Sequence, residues 1–301
     1  RDRHDGRLNV RIGVRVPNSG PLPAQVGIPV LARSAEDAGF ESLWVSDHVV
    51  MPASFASRYP FAADGRATWP SETPYVDALI ALALVAAVTE RATIGTAVLV
   101  LPLRHPIIVA KQLASLDACS DGRLRLGVGA GWLREEFDAL AVPFDTRGSR
   151  LDEWLSLLRD CWTGTPAART ATHYSLPAGV LCYPTPAHEI PFLVGGHSKA
   201  ALRRAGRLGD GWLAQQSLGR IDTSEIEAAV DVMRTAARDA GRDADRLEVV
   251  LRLVDSAGRS DEVAAHLAAL ARAGVDEVIV DVAWSDGDAA ADYERLSAAV
   301  A

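Results

Sequence analysis

A short β-rich run followed by a longer amphipathic segment recurs eight times between Val10 and Val300. Strands that alternate with helices pair in parallel, because a crossover helix is what returns the chain to start the next strand in the same direction. Eight such units predict an α/β fold of the (β/α)8 TIM-barrel type rather than a doubly wound sheet. The β-rich runs are Val10–Arg15, Ser42–Ser46, Thr93–Val98, Arg123–Val128, Pro191–Gly195, Gly211–Ala214, Leu247–Leu253 and Glu277–Val282. Pro21–Gly39 reads as a connection and a helix closed by Gly39, and helices are expected over Tyr75–Val88, Pro106–Cys119, Arg150–Trp162, Ser198–Arg207, Thr223–Ala240, Ser260–Ala273 and Asp288–Val300. No linker or break in composition divides residues 1–301, which read as one domain.

Two connections are longer than a barrel needs, and loops of this length in a compact domain are usually functional or disordered. Residues 49–74 follow the second strand, on the face where barrel enzymes do their chemistry, and are rich in Pro, Ser and aromatics. They are expected to form a lid or substrate wall, with Phe55, Tyr59 and Trp69 in it. Residues 163–189 precede the fifth strand, where surface packing competes with a functional role.

Composition removes several function classes. With 31 basic against 39 acidic residues the net charge is −8, which argues against a general nucleic-acid binder. The basic cluster Arg203, Arg204 and Arg207 has helical spacing and reads as a solvated helix face. The longest apolar run, Ala78–Val88, is well short of the ~20 residues needed to span a bilayer, so no membrane association is expected. Three scattered cysteines, Cys119, Cys161 and Cys182, offer neither a zinc knuckle nor a CxxC pair, so no metal is expected. A sparse odd count fits reduced thiols, and with no charged-then-apolar opening stretch a cytoplasmic setting is expected.

The strand ends carry the candidate chemistry. The second ends in Asp47-His48, which is either a cap with a hydrogen-bonded histidine or a polar anchor with a proton donor or acceptor beside it. In the third, Gly95, Thr96 and Ala97 are small enough for a flat ring to lie close. The fourth ends Gly127-Val128-Gly129-Ala130-Gly131-Trp132. This is not a dinucleotide fingerprint, and it suggests close approach of a ligand or of a neighbouring strand. The fifth ends Gly195-Gly196-His197-Ser198 and runs into a helix. Its free N–H groups form either a capped helix start or a phosphate-sized anion site.

The segments GFESLWVSDHVV, TERATIGTAVLVLPLRHPIIVAKQLASLDACSDGRLRLGVGAGWLREEF and VGGHSKAALRRAGRLGDGW, in that order, closely resemble the bacterial luciferase-like monooxygenase superfamily. They look most like its actinobacterial branch of coenzyme F420-dependent oxidoreductases. The resemblance runs from about Val10 to Trp212. It implies a flavin or deazaflavin at the barrel mouth, with Asp47 and His48 beside the ring. Thr96, Ala97 and Val98 would form a bulge against the ring face, including a non-prolyl cis peptide at Ala97–Val98. Gly127 and Gly129 would flank the polyol chain, with Gly195, Gly196, His197 and Ser198 at the phosphate. Sugar-phosphate dehydrogenases of the superfamily carry a glutamate where this chain has Trp132. An indole cannot exchange protons with substrate, so Trp132 is expected either in an apolar substrate wall or in rim packing.

The resemblance therefore implies hydride transfer between F420 and a small organic substrate, with His48 as acid or base and Asp47 accepting a hydrogen bond from polyol or ring. The alternative is an FMN-dependent monooxygenase that uses molecular oxygen and a partner flavin reductase. A third reading is a non-redox ligand-binding member, since fold does not fix function. A homodimer through the helices near Tyr75–Val88 and Pro106–Cys119 is expected from the family.

Overall fold

The computed structural model describes residues 10–62, 64–67, 69–284 and 288–300. Its elements are β1 (Arg11–Arg15), α1 (Leu22–Gln25), α2 (Ile28–Ala38), β2 (Ser42–Val45), α3 (Ala78–Ala86), β3 (Thr93–Val100), α4 (Pro106–Cys119) and β4 (Leu124–Gly129). They continue as α5 (Arg134–Ala139), α6 (Arg147–Trp162), β5 (Phe192–Gly195), α7 (Lys199–Leu208), β6 (Gly211–Ser217) and α8 (Thr223–Asp239). The chain closes with β7 (Glu248–Val254), α9 (Ser260–Arg272), β8 (Glu277–Val280) and α10 (Asp288–Val300). Each strand pairs in parallel with the next, and β1 pairs with β8, so the sheet is the closed barrel that the alternation predicts.

Alternation along each strand divides the apolar residues in two. One set faces the helices and forms the large outer core, including Ile12, Leu43, Leu99 and Val249. The other fills the lumen, where Trp44, Ala97, Leu193, Leu213, Val250 and Ile279 make one layer. Below that layer, at the N-terminal end, Glu277 accepts from Ser42 Oγ at 2.5 Å and Trp44 Nε1 at 3.0 Å, and pairs with Arg11 and Arg125. The base is thus sealed by an ion network, which leaves the opposite, C-terminal mouth for chemistry.

Element ends differ from the sequence reading where tertiary bonds compete with periodicity. The third helix starts at Ala78 rather than Tyr75, because Val76 N–H donates to Asn18 O and Tyr75 bridges to Ser19, keeping both residues extended. Asp77 then caps it, accepting from Leu79 and Ile80 N–H. The short helix α5, which starts in the quoted LREEF segment and runs on to Ala139, is an element the periodicity did not resolve. Residues 163–189 lie against the outside of the barrel. The Glu153 carboxylate accepts from the His173 and Tyr174 N–H groups, and the Tyr174 ring stands 5.3 Å from His105. Surface packing is therefore what that segment does in the structure.

Candidate active site at the barrel mouth

His48 follows β2 and is 9 % exposed. Its Nδ1 lies 3.1 Å from Oε2 of Glu136, on the first turn of α5. The other oxygen of Glu136 accepts from the N–H groups of Val49, at 2.6 Å, and Val50, at 3.3 Å. A carboxylate can only accept, so this contact places a proton on Nδ1, and in the neutral imidazole the free nitrogen is then Nε2. Nε2 has no protein partner among the described residues. The neighbouring Glu135 acts on the same loop, with Oε1 accepting from Ala56 and Ser57 N–H. Desolvation works against the Glu135 charge, but Ser57 and these backbone donors outweigh it and hold its pKa below the usual glutamate value.

Asp47, expected as a hydrogen-bond acceptor for a ligand, has its carboxylate taken up by protein groups. Its side chain has no exposed surface. Both oxygens meet Arg104, at 2.7 and 2.8 Å, and Oδ2 also accepts Val100 N–H at 2.9 Å. Arg104 bonds Asp77 as well, at 3.1 Å. Desolvation disfavours the Arg104 charge, yet the two carboxylates outweigh it and hold its pKa above the ordinary arginine value. Asp47 thus ties the ends of β2 and β3 together and positions His48.

The register of β3 against β4 shifts between Thr96 and Leu99, and the peptide joining Ala97 to Val98 is cis. The glycines beside this bulge pack closely against the neighbouring strand. A Cβ on Gly127 would overlap the Thr96 carbonyl oxygen, one on Gly129 would come within 2.7 Å of Val98 Cγ2, and one on Gly195 within 2.8 Å of Val98 Cγ1. Gly129 and Gly195 thus make room for Val98, and Gly127 for the Thr96 backbone. Thr96 itself is fully buried and donates its hydroxyl to Gly127 O at 2.7 Å.

Over the mouth, the described residues of the segment 49–74 form an aromatic strap. Trp69, Tyr75 and Trp132 surround His48, with ring centroids 6.1, 5.3 and 6.1 Å away. Tyr59 fits between Trp69 and Trp132, at 5.1 and 5.3 Å, and Phe55 lies 5.8 Å from Trp132. The strap reaches the far side, where Gln215 Nε2 donates to Tyr59 Oη at 3.0 Å and Phe61 stands edge-on to His197 at 5.5 Å.

At that far side Gly196 adopts φ +113°, a left-handed conformation that favours glycine, and turns the chain from β5 into α7. Ser198 caps α7, accepting from Ala201 N–H at 3.2 Å. The cap satisfies one first-turn donor and leaves the others without an intrahelical acceptor, on residues 198–200 that are all exposed. His197 Nε2 accepts from Gln215 N–H at 3.1 Å, and its ring packs 5.3 Å from Trp212. Desolvation by this packing lowers the His197 pKa below the usual histidine value.

The floor of the mouth holds charged side chains that the sequence reading passed over. Arg15 Nε pairs with Asp281 at 2.5 Å. Arg252, on β7, crosses the lumen and donates through Nη1 to Ala97 O at 3.3 Å, at the bulge on the opposite strand. Its signal was a lone arginine inside the apolar run VVLRLV, two residues beyond the inward-facing Val250. Glu136 and Tyr75 were likewise missed: Glu136 stands in the quoted LREEF run, where nothing local links it to His48, and Tyr75 was read as the start of a helix. Burial raises the Tyr75 pKa, while Ser19, Arg15 and Arg252 pull against it.

A family profile described as luciferase-like monooxygenase matches residues 20–299. An uncharacterized protein of Mycobacterium tuberculosis is 36 % identical over 212 residues, covering 70 % of this chain and 72 % of the relative. An F420-dependent glucose-6-phosphate dehydrogenase of Nakamurella multipartita is 31 % identical over 226 residues, covering 74 % of this chain and 61 % of the relative. The structure of an F420-dependent secondary alcohol dehydrogenase in complex with an F420–acetone adduct superposes with a TM-score of 0.76 at 19 % identity, over 97 % of this chain and 99 % of that one. The closed barrel and a match across nearly the whole sequence lead to one conclusion: the chain belongs to the luciferase-like monooxygenase family.

Proposed function

We propose that the chain is an oxidoreductase that moves a hydride between coenzyme F420 and a small organic substrate held at the barrel mouth. The observation that carries this reading is a juxtaposition on neighbouring strand ends. His48, with Nδ1 held by Glu136, follows β2 beside the β3 bulge at Ala97–Val98, and the exposed start of α7 opens across the mouth. Relatives named as F420-dependent dehydrogenases support the deazaflavin over FMN.

The residues fit such a group. The bulge offers a backbone surface to a flat ring, and the first turn of α7 offers N–H donors to a phosphate. When bound, the deazaflavin supplies or accepts the hydride. His48 gives or takes the accompanying proton at Nε2, while Glu136 keeps Nδ1 occupied so that the free nitrogen is the one available to substrate. Trp69, Tyr75 and Trp132 wall the imidazole and reduce its contact with water.

The test is a fluorescence titration of the purified chain with F420 and FMN, each oxidised and reduced. Micromolar F420 binding, with FMN weaker by about tenfold or more, supports the reading. Preference for reduced FMN would move it to an oxygen-dependent monooxygenase fed by a flavin reductase. Binding of neither would leave a non-redox ligand-binding member.

A homodimer is part of the proposal. Ile80, 58 % exposed, and Leu84 on α3 lie uncovered, as does Ile108, 59 % exposed, on the adjacent helix α4. Light scattering should give about 64 kDa, twice the 32.0 kDa of one chain. Among the described residues no helix is long and apolar enough to cross a membrane.

A further inference from the structure

Arg252 is a lumen arginine with no carboxylate bound to it among the described residues. Its strand neighbour Val250 belongs to the lumen layer, and its Nη1 reaches Ala97 O on the opposite wall, so the guanidinium spans the floor of the mouth. That carbonyl is its one protein acceptor among the described residues, and the contact is long, at 3.3 Å. Its Nε is buried without a partner. The nearby positive charge, Arg15, is already neutralised by Asp281.

A second orphan donor lies in the same chamber. Trp69 Nε1 is buried with no acceptor, although its ring stands 6.1 Å from His48 and 5.1 Å from Tyr59. Tyr59 Oη already accepts from Gln215. The Glu136 oxygens are committed to His48, Val49 and Val50. Arg252 Nε and Trp69 Nε1 are thus two buried donors for which the described residues supply no acceptor. Buried donors left unpaired cost stability, so such a pair is compensated when an acceptor-rich group enters.

We propose that the substrate carries an anionic oxygen head group, a carboxylate or a phosphate, that seats on Arg252 beneath a flat apolar body held by the Trp69, Tyr75 and Trp132 rings. This rests on the reading of the mouth as the substrate site and adds the substrate's charge to it. Arg252 is then a specificity residue that orients the reacting end of the substrate towards His48.

The test is calorimetric titration of the full chain at pH 7.5 and low salt with matched probes. The acids are benzoate, cinnamate and phenyl phosphate, and the neutral partners are benzamide, cinnamamide and phenol. At least one acid should bind about tenfold or more tighter than its neutral partner, and carboxylate against phosphate preference identifies the head group. The preference should vanish in Arg252→Leu and survive in part in Arg252→Lys, with melting curves checking that both variants fold. F420 affinity should stay within about threefold in both variants. Equal binding of acids and neutral partners by the native chain would overturn the proposal, as would a preference that persists in Arg252→Leu. A fall of about tenfold or more in F420 affinity in Arg252→Leu would assign the guanidinium to the cofactor and overturn it too. Failure of the native chain to bind F420 would count against the cofactor reading alone, since probe discrimination is read without it.

Discussion

The Glu136 carboxylate lies 3.1 Å from Nδ1 of His48 and, through its second oxygen, takes the N–H groups of Val49 and Val50. One side chain thereby sets the tautomer of the imidazole and anchors the backbone that carries it. The arrangement parallels the general rule that a histidine's working nitrogen is chosen by what its other nitrogen bonds.

His48→Ala should lower turnover by about 10²–10⁴-fold while F420 affinity changes little, the usual scale for losing acid–base assistance. Glu136→Gln tests the positioning role. Its amide can present a donor to Nδ1, which reverses the tautomer and places the proton on Nε2. Turnover should then fall more in the direction where Nε2 must accept a proton than in the reverse direction. Equal losses in both directions, or a matching loss of cofactor affinity, would make Glu136 a structural brace only.

Ser198→Asp should weaken cofactor binding by about 10²-fold or more, because it sets a negative charge against the proposed phosphate site. Aspartate caps helices as well as serine does, so the melting temperature should hardly move. Affinity within twofold of the native value, measured by fluorescence, would remove the anion site from the start of α7.

Tyr59→Phe deletes the hydroxyl that accepts from Gln215 Nε2 at 3.0 Å and so releases one tie of the aromatic strap. Unfolding free energy should drop by no more than about 1 kcal/mol, the net worth of one such bond. Cofactor association, followed by stopped-flow fluorescence, should become faster. An unchanged association rate would mean that the strap does not gate the mouth.

Glu36 predicts a pH dependence of stability remote from the mouth. It is 6 % exposed, and its carboxylate accepts from the N–H groups of Glu90, Arg91 and Ala92. Desolvation favours the neutral acid, but these bonds outweigh it and hold the pKa below the usual 4.5. The folded state therefore binds its proton less readily than the unfolded chain does. The contribution is complete above the unfolded value and is lost as pH falls through the folded one. Glu36→Gln should cost about 1–3 kcal/mol at pH 7, and the gap to the native chain should narrow in denaturation curves taken below pH 4.5.

What the amino-acid order determined alone was everything that depends on near neighbours. The periods of β7 and α8, the turn at Gly196, the cap at Ser198 and the closeness of Asp47 and His48 to a strand end follow from local sterics and hydrogen bonding. Those forces act over a few residues, so they are readable from a few residues. The partners of those groups were decided by closure of the barrel. His48 meets Glu136 across 88 positions, Arg252 meets Ala97 across 155, and Tyr59 meets Gln215 across 156. The same closure brought Arg104 and Val100 against Asp47, and Thr96 and Val98 against Gly127, Gly129 and Gly195. Parallel register brings residues far apart in the chain to one height of the sheet, and which of them face each other across the lumen is a property of the closed barrel that no local pattern records.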